Sequence, residues 1–326
     1  LTRTEKTMFK KVLLCSFITS SIFIQAANAC TCAVYLGSND HIITARTMDW
    51  KSDVGTNLWV MPSGISIVIN TYPKLLKLKS KYGSVIATGY DASTTDGMNE
   101  AGLVANVLWL VESQYPDTQK SNKSQLSISA WAQYVLDNYA TVAEAVTALE
   151  KEPFTLITDY VPGEKILTTL HLSLSDKNGD SAIIEYINGK QVIHHDKKYQ
   201  VMTNSPIFDQ QLALNSYWQQ IGGTVMLPGT NRAADRFARA SFYINAIPKN
   251  DNAKEAIASV FSVIRNASVP FGLNTEEEPN ISSTRWRTVA DHKQQLYFFE
   301  SAVSPNVFWI DLKKINFKDG VTRKLD

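Results

Sequence analysis

The sequence predicts an α+β protein built mainly on antiparallel sheet. Strand-like and helix-like stretches come in blocks rather than in strict alternation, and short turns of hairpin type join neighbouring strands. Hydrophobic residues make up 44% of the 326-residue chain and charged residues 19%, which suits a well-filled core and one domain after the leader. The formal charge of +1 gives no bulk attraction to nucleic acid or an anionic membrane, so neither is expected as a partner.

The first 29 residues differ in kind. Met8-Phe9-Lys10-Lys11 opens a basic start, an apolar stretch runs from Val12 through Ile24, and Ala27-Asn28-Ala29 supplies small residues at −3 and −1 of a cut before Cys30. This is the pattern of a secretory signal peptide, with Leu1–Thr7 upstream of the natural start, and it implies a periplasmic or secreted protein. A membrane anchor is the competing reading, but Ser16, Thr19, Ser20, Ser21 and Gln25 interrupt the apolar run. A lipid-modified Cys30 is the other alternative; it fits badly because Ala27 and Asn28 stand where a lipoprotein signal usually has Leu and a small residue.

After the cut, strands are expected at 30–36 and 42–46 around the turn Gly37-Ser38-Asn39-Asp40, then at 58–61, 65–70, 84–87 and 102–110. A helical block spans 127–150, broken near Thr141, which can cap its second piece. Strands return at 168–175, 181–187 and 191–194, with Asn188-Gly189 as a tight turn. Helices follow at 232–246 and 253–266, and 285–313 reads as a meander of strands.

Once Cys15 leaves with the leader, Cys30 and Cys32 are the remaining cysteines, too close in sequence to pair with one another. Cys32 reads as a small buried hydrophobe, whereas Cys30 becomes a free N-terminus. An N-terminal cysteine carries nucleophile and base in one residue: its thiol ordinarily titrates at about 8.5, and its α-amine at about 7.7–8.0 can take the proton. Such a centre needs a cation by the thiolate, a carboxylate for the amine and fixed donors for an oxyanion. The second hairpin strand ends in Arg46-Thr47-Met48-Asp49-Trp50, which the turn returns beside Cys30. A surface salt bridge at a strand end is the alternative reading of Arg46 and Asp49.

Cys30 followed by Ala45-Arg46-Thr47-Met48-Asp49-Trp50 resembles the choloylglycine hydrolase family, the conjugated bile acid hydrolases and penicillin V acylases. Three later blocks resemble it in order: Asp96–Leu103, Met202–Asp209 and Ala234–Phe237. The resemblance implies the four-layer αββα sandwich of the N-terminal nucleophile hydrolases and hydrolysis of a linear amide. It implies Cys30 as nucleophile, Arg46 by the thiolate, Asp49 on the amine, Asn204 and the backbone N–H of Trp109 as oxyanion donors, and Arg236 completing the polar network. Cys32 is excluded from the first role because Arg46 follows Cys30 by the family's sixteen positions (46 − 30).

Trp109 stands where many bile acid hydrolases have Asn, which resembles the penicillin V acylase branch. Only 32 positions (236 − 204) separate Asn204 from Arg236. That spacing lacks the assembly segment of Gram-positive members, resembles the Gram-negative branch and leaves homo-oligomer formation open. Trp50, Trp109 and Leu110 are expected to line a pocket for an apolar acyl group, although each taken singly could equally be core. The candidate substrates are a phenoxyacetyl penicillin, an N-acyl homoserine lactone and, as the alternative, a conjugated bile acid. A secreted binding protein of the same fold is the reading from another class. No cofactor or metal is expected, since the five histidines show no ligand spacing and His194-His195 point opposite ways on a strand. Arg232 and Arg239 are expected as surface charges, and the loops 71–83 and 114–125 as shapers of the acyl pocket.

Overall fold

The computed structural model describes residues 30–69, 76–273, 282–304 and 306–325, so the signal-peptide reading lies outside the described residues. In chain order the strands and helices are β1 (Thr31–Leu36), β2 (Ile42–Trp50), β3 (Leu58–Met61), β4 (Ser66–Ile69), β5 (Leu76–Lys79), β6 (Ser84–Gly89), β7 (Ser93–Asn99), β8 (Val104–Trp109) and β9 (Gln125–Ser127). They continue with α1 (Trp131–Asn138), α2 (Val142–Leu149), β10 (Thr155–Ile157), β11 (Leu170–Ser175), β12 (Ser181–Ile187), β13 (Lys190–His195) and β14 (Val201–Met202). The chain then forms α3 (Phe208–Ile221), α4 (Ala233–Ala246), α5 (Ala253–Asn266), β15 (Ser283–Asp291), β16 (Leu296–Ser301), β17 (Val307–Asp311) and β18 (Arg323–Leu325).

Two antiparallel sheets make the frame. One has six strands in the order β14-β1-β2-β15-β16-β17, the other eight in the order β13-β12-β11-β8-β7-β6-β3-β18. Helices α4 and α5 pack on the first sheet through β1, β2 and β15, while α1 packs on β7 and β8 of the second and α2 on β12. The sheets face one another, with Cys32 of β1 touching Asn106 of β8 and Ser173 of β11. The layers therefore run helix, sheet, sheet, helix, the αββα order the resemblance implies.

Local signals account for much of this. Asn188 and Gly189 both take positive φ (53° and 74°), as a two-residue hairpin between β12 and β13 demands. Thr141 accepts from the Glu144 N–H at 3.2 Å and starts α2, the cap read from the sequence. The block expected from 127 begins later, because Ser127 ends β9 and 128–130 form a single 3₁₀ turn before α1.

Besides the short strands β5, β9, β10, β14 and β18, two longer elements were absent from the sequence reading. Strand β7 (Ser-Thr-Thr-Asp-Gly-Met-Asn) is nearly all buried yet mostly polar, so it shows no alternation of apolar and polar residues. Its Gly97 sits against α1: a Cβ there would lie 2.8 Å from Ile86 Cγ2 and 2.9 Å from Leu136 Cδ1, so only glycine lets the helix approach. Helix α3 buries only Phe208, Gln211 and Asn215, too few apolar positions to mark a stripe.

Candidate active site

Cys30 stands at the mouth of β1, an interior strand of the six-stranded sheet next to its β14 edge. The register Cys32↔Arg46 and Thr31↔Thr47 carries the end of β2 alongside it. Residues three apart on a strand face opposite sides. Arg46 accordingly turns into the gap between the sheets, while Asp49 turns toward α4. One strand thus sets a cation on the cavity side of the cysteine and a carboxyl group on its helix side.

The sulfur of Cys30 rests against the Asp49 backbone: the Asp49 N–H lies 3.5 Å from Sγ, and Sγ lies 3.7 Å from the Asp49 carbonyl. The Cys30 nitrogen, a peptide N–H in this 326-residue chain, donates to Asn204 Oδ1 at 2.5 Å. Arg236 ties the cluster from α4, donating to the Cys30 carbonyl at 2.7 Å and to Asn204 Oδ1 at 3.0 Å, with Nη1 4.0 Å from Asp49 Oδ2. Asp49 Oδ2 also accepts from Thr47 Oγ1 at 3.0 Å. Asn204 Nδ2 donates to the Trp109 carbonyl at 2.7 Å.

That last contact orients Trp109. Leu110 N–H donates to Thr169 O at 3.0 Å toward β11, so the alternate residue Trp109 turns its own N–H and C=O to the other edge of β8, where Asn204 lies. The two groups expected to receive an oxyanion therefore converge on one edge beside Cys30.

Burial dominates the electrostatics. It pushes the Cys30 thiol up from its ordinary value, opposed first by Arg46. It pushes Asp49 up to about 6, opposed by Arg236 and by hydrogen bonds from Thr284 and Thr47. Arg46 itself donates to the Val107 carbonyl at 3.0 Å and contacts Met48 Sδ at 3.1 Å, leaving Nε and Nη1 without hydrogen-bond partners among the described residues. Its nearest counter-charge is Asp96 Oδ2 at 3.8 Å.

A cavity of about 290 Å³ opens on Cys30 and Arg46, with Trp50, Trp109, Val161 and Leu170 among its apolar walls. Trp50 and Trp109 meet with ring centroids 5.3 Å apart at 55°, and the Trp50 indole N–H is anchored on Tyr90 Oη at 2.9 Å. Leu110 does not line the cavity. It is fully buried elsewhere, because its neighbour on the strand, Trp109, occupies the cavity side. Of the expected pocket loops, 114–125 does not reach the wall, which is built from stretches around Tyr90, Ser129 and Tyr160, and residues 71–75 of the other loop lie outside the described residues.

Three further corrections and additions concern charged groups. Arg239 is not a surface charge: it is buried, donating to the Pro228 and Thr230 carbonyls at 2.8 Å each, whereas Arg232 is exposed, as expected. Asp96 carried no role in the sequence reading. It lies fully between the sheets, accepting from Asn106 Nδ2 at 2.6 Å, from Thr288 Oγ1 at 3.0 Å and from Tyr297 Oη, and it faces Arg46. Asp96 heads the second family-like block, which marks the segment, but a lone acidic residue in a polar strand has no periodicity that places it between the sheets. His194 and His195 do diverge, the first packing on Phe208 and the second bonding Asp180 at 2.8 Å.

Among the described residues no helix is long and apolar enough to cross a membrane. The profile of linear amide C–N hydrolases, choloylglycine hydrolase family, matches residues 30–324. A penicillin V acylase of Pectobacterium atrosepticum is 56% identical, over 99% of this chain and 92% of that protein. The structure of a penicillin V acylase from Agrobacterium tumefaciens superposes with a TM-score of 0.85 at 67% identity, covering 91% of each chain. A mutant of a conjugated bile acid hydrolase from Clostridium perfringens shares the fold, with a TM-score of 0.78 at 24% identity over 91% of this chain and 96% of that one. With the αββα sandwich, the cysteine at the mouth of an interior strand and a family match over nearly all of the described chain, this protein belongs to the choloylglycine hydrolase family of linear amide C–N hydrolases.

Proposed function

We propose that this chain is a penicillin V acylase-like or N-acyl homoserine lactone acylase-like amidase that uses Cys30 as an N-terminal nucleophile. Residues 1–29 are the leader removed to free it, residues 30–326 form one catalytic domain, and the mature protein acts in the periplasm or outside the cell. The observation that carries the reading is the position of the Cys30 sulfur at an apolar, tryptophan-walled cavity with Arg46 on its cavity side.

The chemistry follows from that placement. The freed α-amine takes the Sγ proton, with Asp49 and Asn204 Oδ1 as acceptors around it, and the sulfur adds to the amide carbonyl. The oxyanion is received by the Trp109 backbone N–H and by Asn204 Nδ2. Collapse breaks the C–N bond as the ammonium returns its proton to the departing nitrogen. Water then adds to the thioester, losing a proton to the α-amine, and releases the free acid and the thiol. Arg46 favours the thiolate by charge, and Arg236 holds Asn204 and the Cys30 carbonyl in register.

The Trp50–Trp109 pair supports a flat or chain-like apolar acyl group over the bulkier sterol of a conjugated bile acid. The test is amine release by protein beginning at Cys30 from penicillin V, an N-acyl homoserine lactone and glycodeoxycholate. Turnover of either of the first two ahead of the third is expected. Preferential bile acid cleavage would overturn the substrate assignment, and a diacylglyceryl mass on Cys30 would overturn the mechanism.

A further inference from the structure

Beneath the Asn204 loop lies a buried ionisable pair that the amidase chemistry does not use. His171 of β11 and Glu185 of β12 stand side by side on the inner face of the eight-stranded sheet, only 2% and 1% exposed. His171 Nδ1 lies 3.1 Å from Glu185 Oε1, and its Nε2 lies 2.7 Å from the carbonyl of Thr203, the residue before Asn204. Both ring nitrogens thus face acceptors. Nε2 must carry a proton, and a second proton must lie between Nδ1 and the carboxyl group. The same Glu185 carboxyl group accepts the Phe208 N–H, at 3.1 and 3.2 Å from its two oxygens. Burial works against the Glu185 charge, yet hydrogen bonds from His171 and His194 outweigh it and hold the group down at about 2.

The loop from Thr203 to Phe208 leaves the edge strand of one sheet and is gripped at both ends by a single unit on the other. Gln211 braces it from α3, donating to the Asn204 carbonyl at 3.0 Å. We propose that the His171–Glu185 pair is a positioning device that locks the Asn204 loop across the two sheets, so that the Asn204 amide is held in its transition-state geometry before substrate arrives. This rests on the reading of Asn204 as an oxyanion donor. A displacement of about 1 Å at such a donor costs on the order of 10²-fold in rate, whereas substrate binding in the tryptophan cavity stays untouched.

The experiment is a double-mutant cycle on mature enzyme, with rates on penicillin V, or on glycodeoxycholate if that is the amide the parent cleaves, normalised to titrated Cys30 thiol. His171→Leu and the near-isosteric Glu185→Gln are each combined with Asn204→Ala. The expected result is a kcat lower by about 10- to 100-fold in either single variant with KM within about twofold. The loss should vanish when Asn204 is already alanine. The Glu185→Gln variant carries the test if the leucine variant fails to fold. Unchanged kcat per thiol, or a loss that is fully additive with Asn204→Ala, would overturn the clamp while leaving the amidase intact. If Asn204→Ala itself leaves kcat unchanged, the oxyanion assignment falls, and the clamp falls with it.

Discussion

The two faces of the eight-stranded sheet differ sharply in what they bury. Its outer face packs on α1 and α2 through a mostly hydrocarbon layer that includes Trp131, Leu136, Leu149 and Leu174, interrupted by one polar cluster in which Gln133 and Asp137 of α1 meet Ser84 and Thr94. Its inner face, against the other sheet, buries Asp96, Asn106, His171, Ser173 and Glu185, and meets Arg46 from across the gap. Apolar burial is non-directional and tolerant, so the outer layer supplies cohesion. Buried charges are costly unless each finds a partner, so the inner layer forces a unique alignment of the two sheets around Cys30. Cohesion and chemistry are thus separated by one sheet's thickness, and that separation can be tested.

The largest effect belongs to the inner layer. Cys30→Ala in the mature enzyme should lower kcat by on the order of 10⁴-fold or more while leaving the urea midpoint near that of the parent. Appreciable residual turnover would move the nucleophile elsewhere.

Next comes the outer layer. Trp131 is fully buried and meets Tyr186 edge-on with centroids 5.8 Å apart. Trp131→Ala should cost about 3–5 kcal/mol in urea unfolding, with kcat of the folded fraction unchanged. A collapse of kcat in still-folded protein would show that the layers are not separable.

Asp49 sharpens the contrast through pH. Burial lifts its folded pKa to about 6 from an ordinary 3.8, so the folded chain holds that proton more tightly than the unfolded one. The group's contribution to stability is therefore full below about pH 4 and is lost as pH rises through about 6, a span worth on the order of 3 kcal/mol. Asp49→Asn should flatten the pH dependence of the 326-residue chain between about pH 4 and 7. An unaltered slope would show that the carboxyl group titrates normally.

The smallest effect is local to the outer layer. Thr141→Ala removes the cap of α2 and should cost about 1 kcal/mol, read as a shift in urea midpoint with activity intact.

Much of the frame was legible in the chain. The hairpin that returns Arg46 and Asp49 to Cys30 follows from the turn residues Gly37 to Asp40 and a fixed strand rise, and the Asn188-Gly189 turn and Thr141 cap follow from local backbone chemistry. The four motif blocks made the family readable and pointed to candidate site residues. Strand β7 and helix α3 were not readable, because one is polar yet buried on both faces and the other leaves most of its length outside the core.

What the sequence alone determined is the local set: the candidate nucleophile, the strand that brings a cation and a carboxyl group beside it, and the layers of strand and helix. Only the tertiary structure decided that Asp96 faces Arg46 between the sheets, that Arg239 turns inward, and that His171 and Glu185 grip the Asn204 loop. Those contacts join elements distant in the chain, and an isolated polar residue carries no periodicity that marks it for burial. Its place is set by which partner the folded sheets present to it.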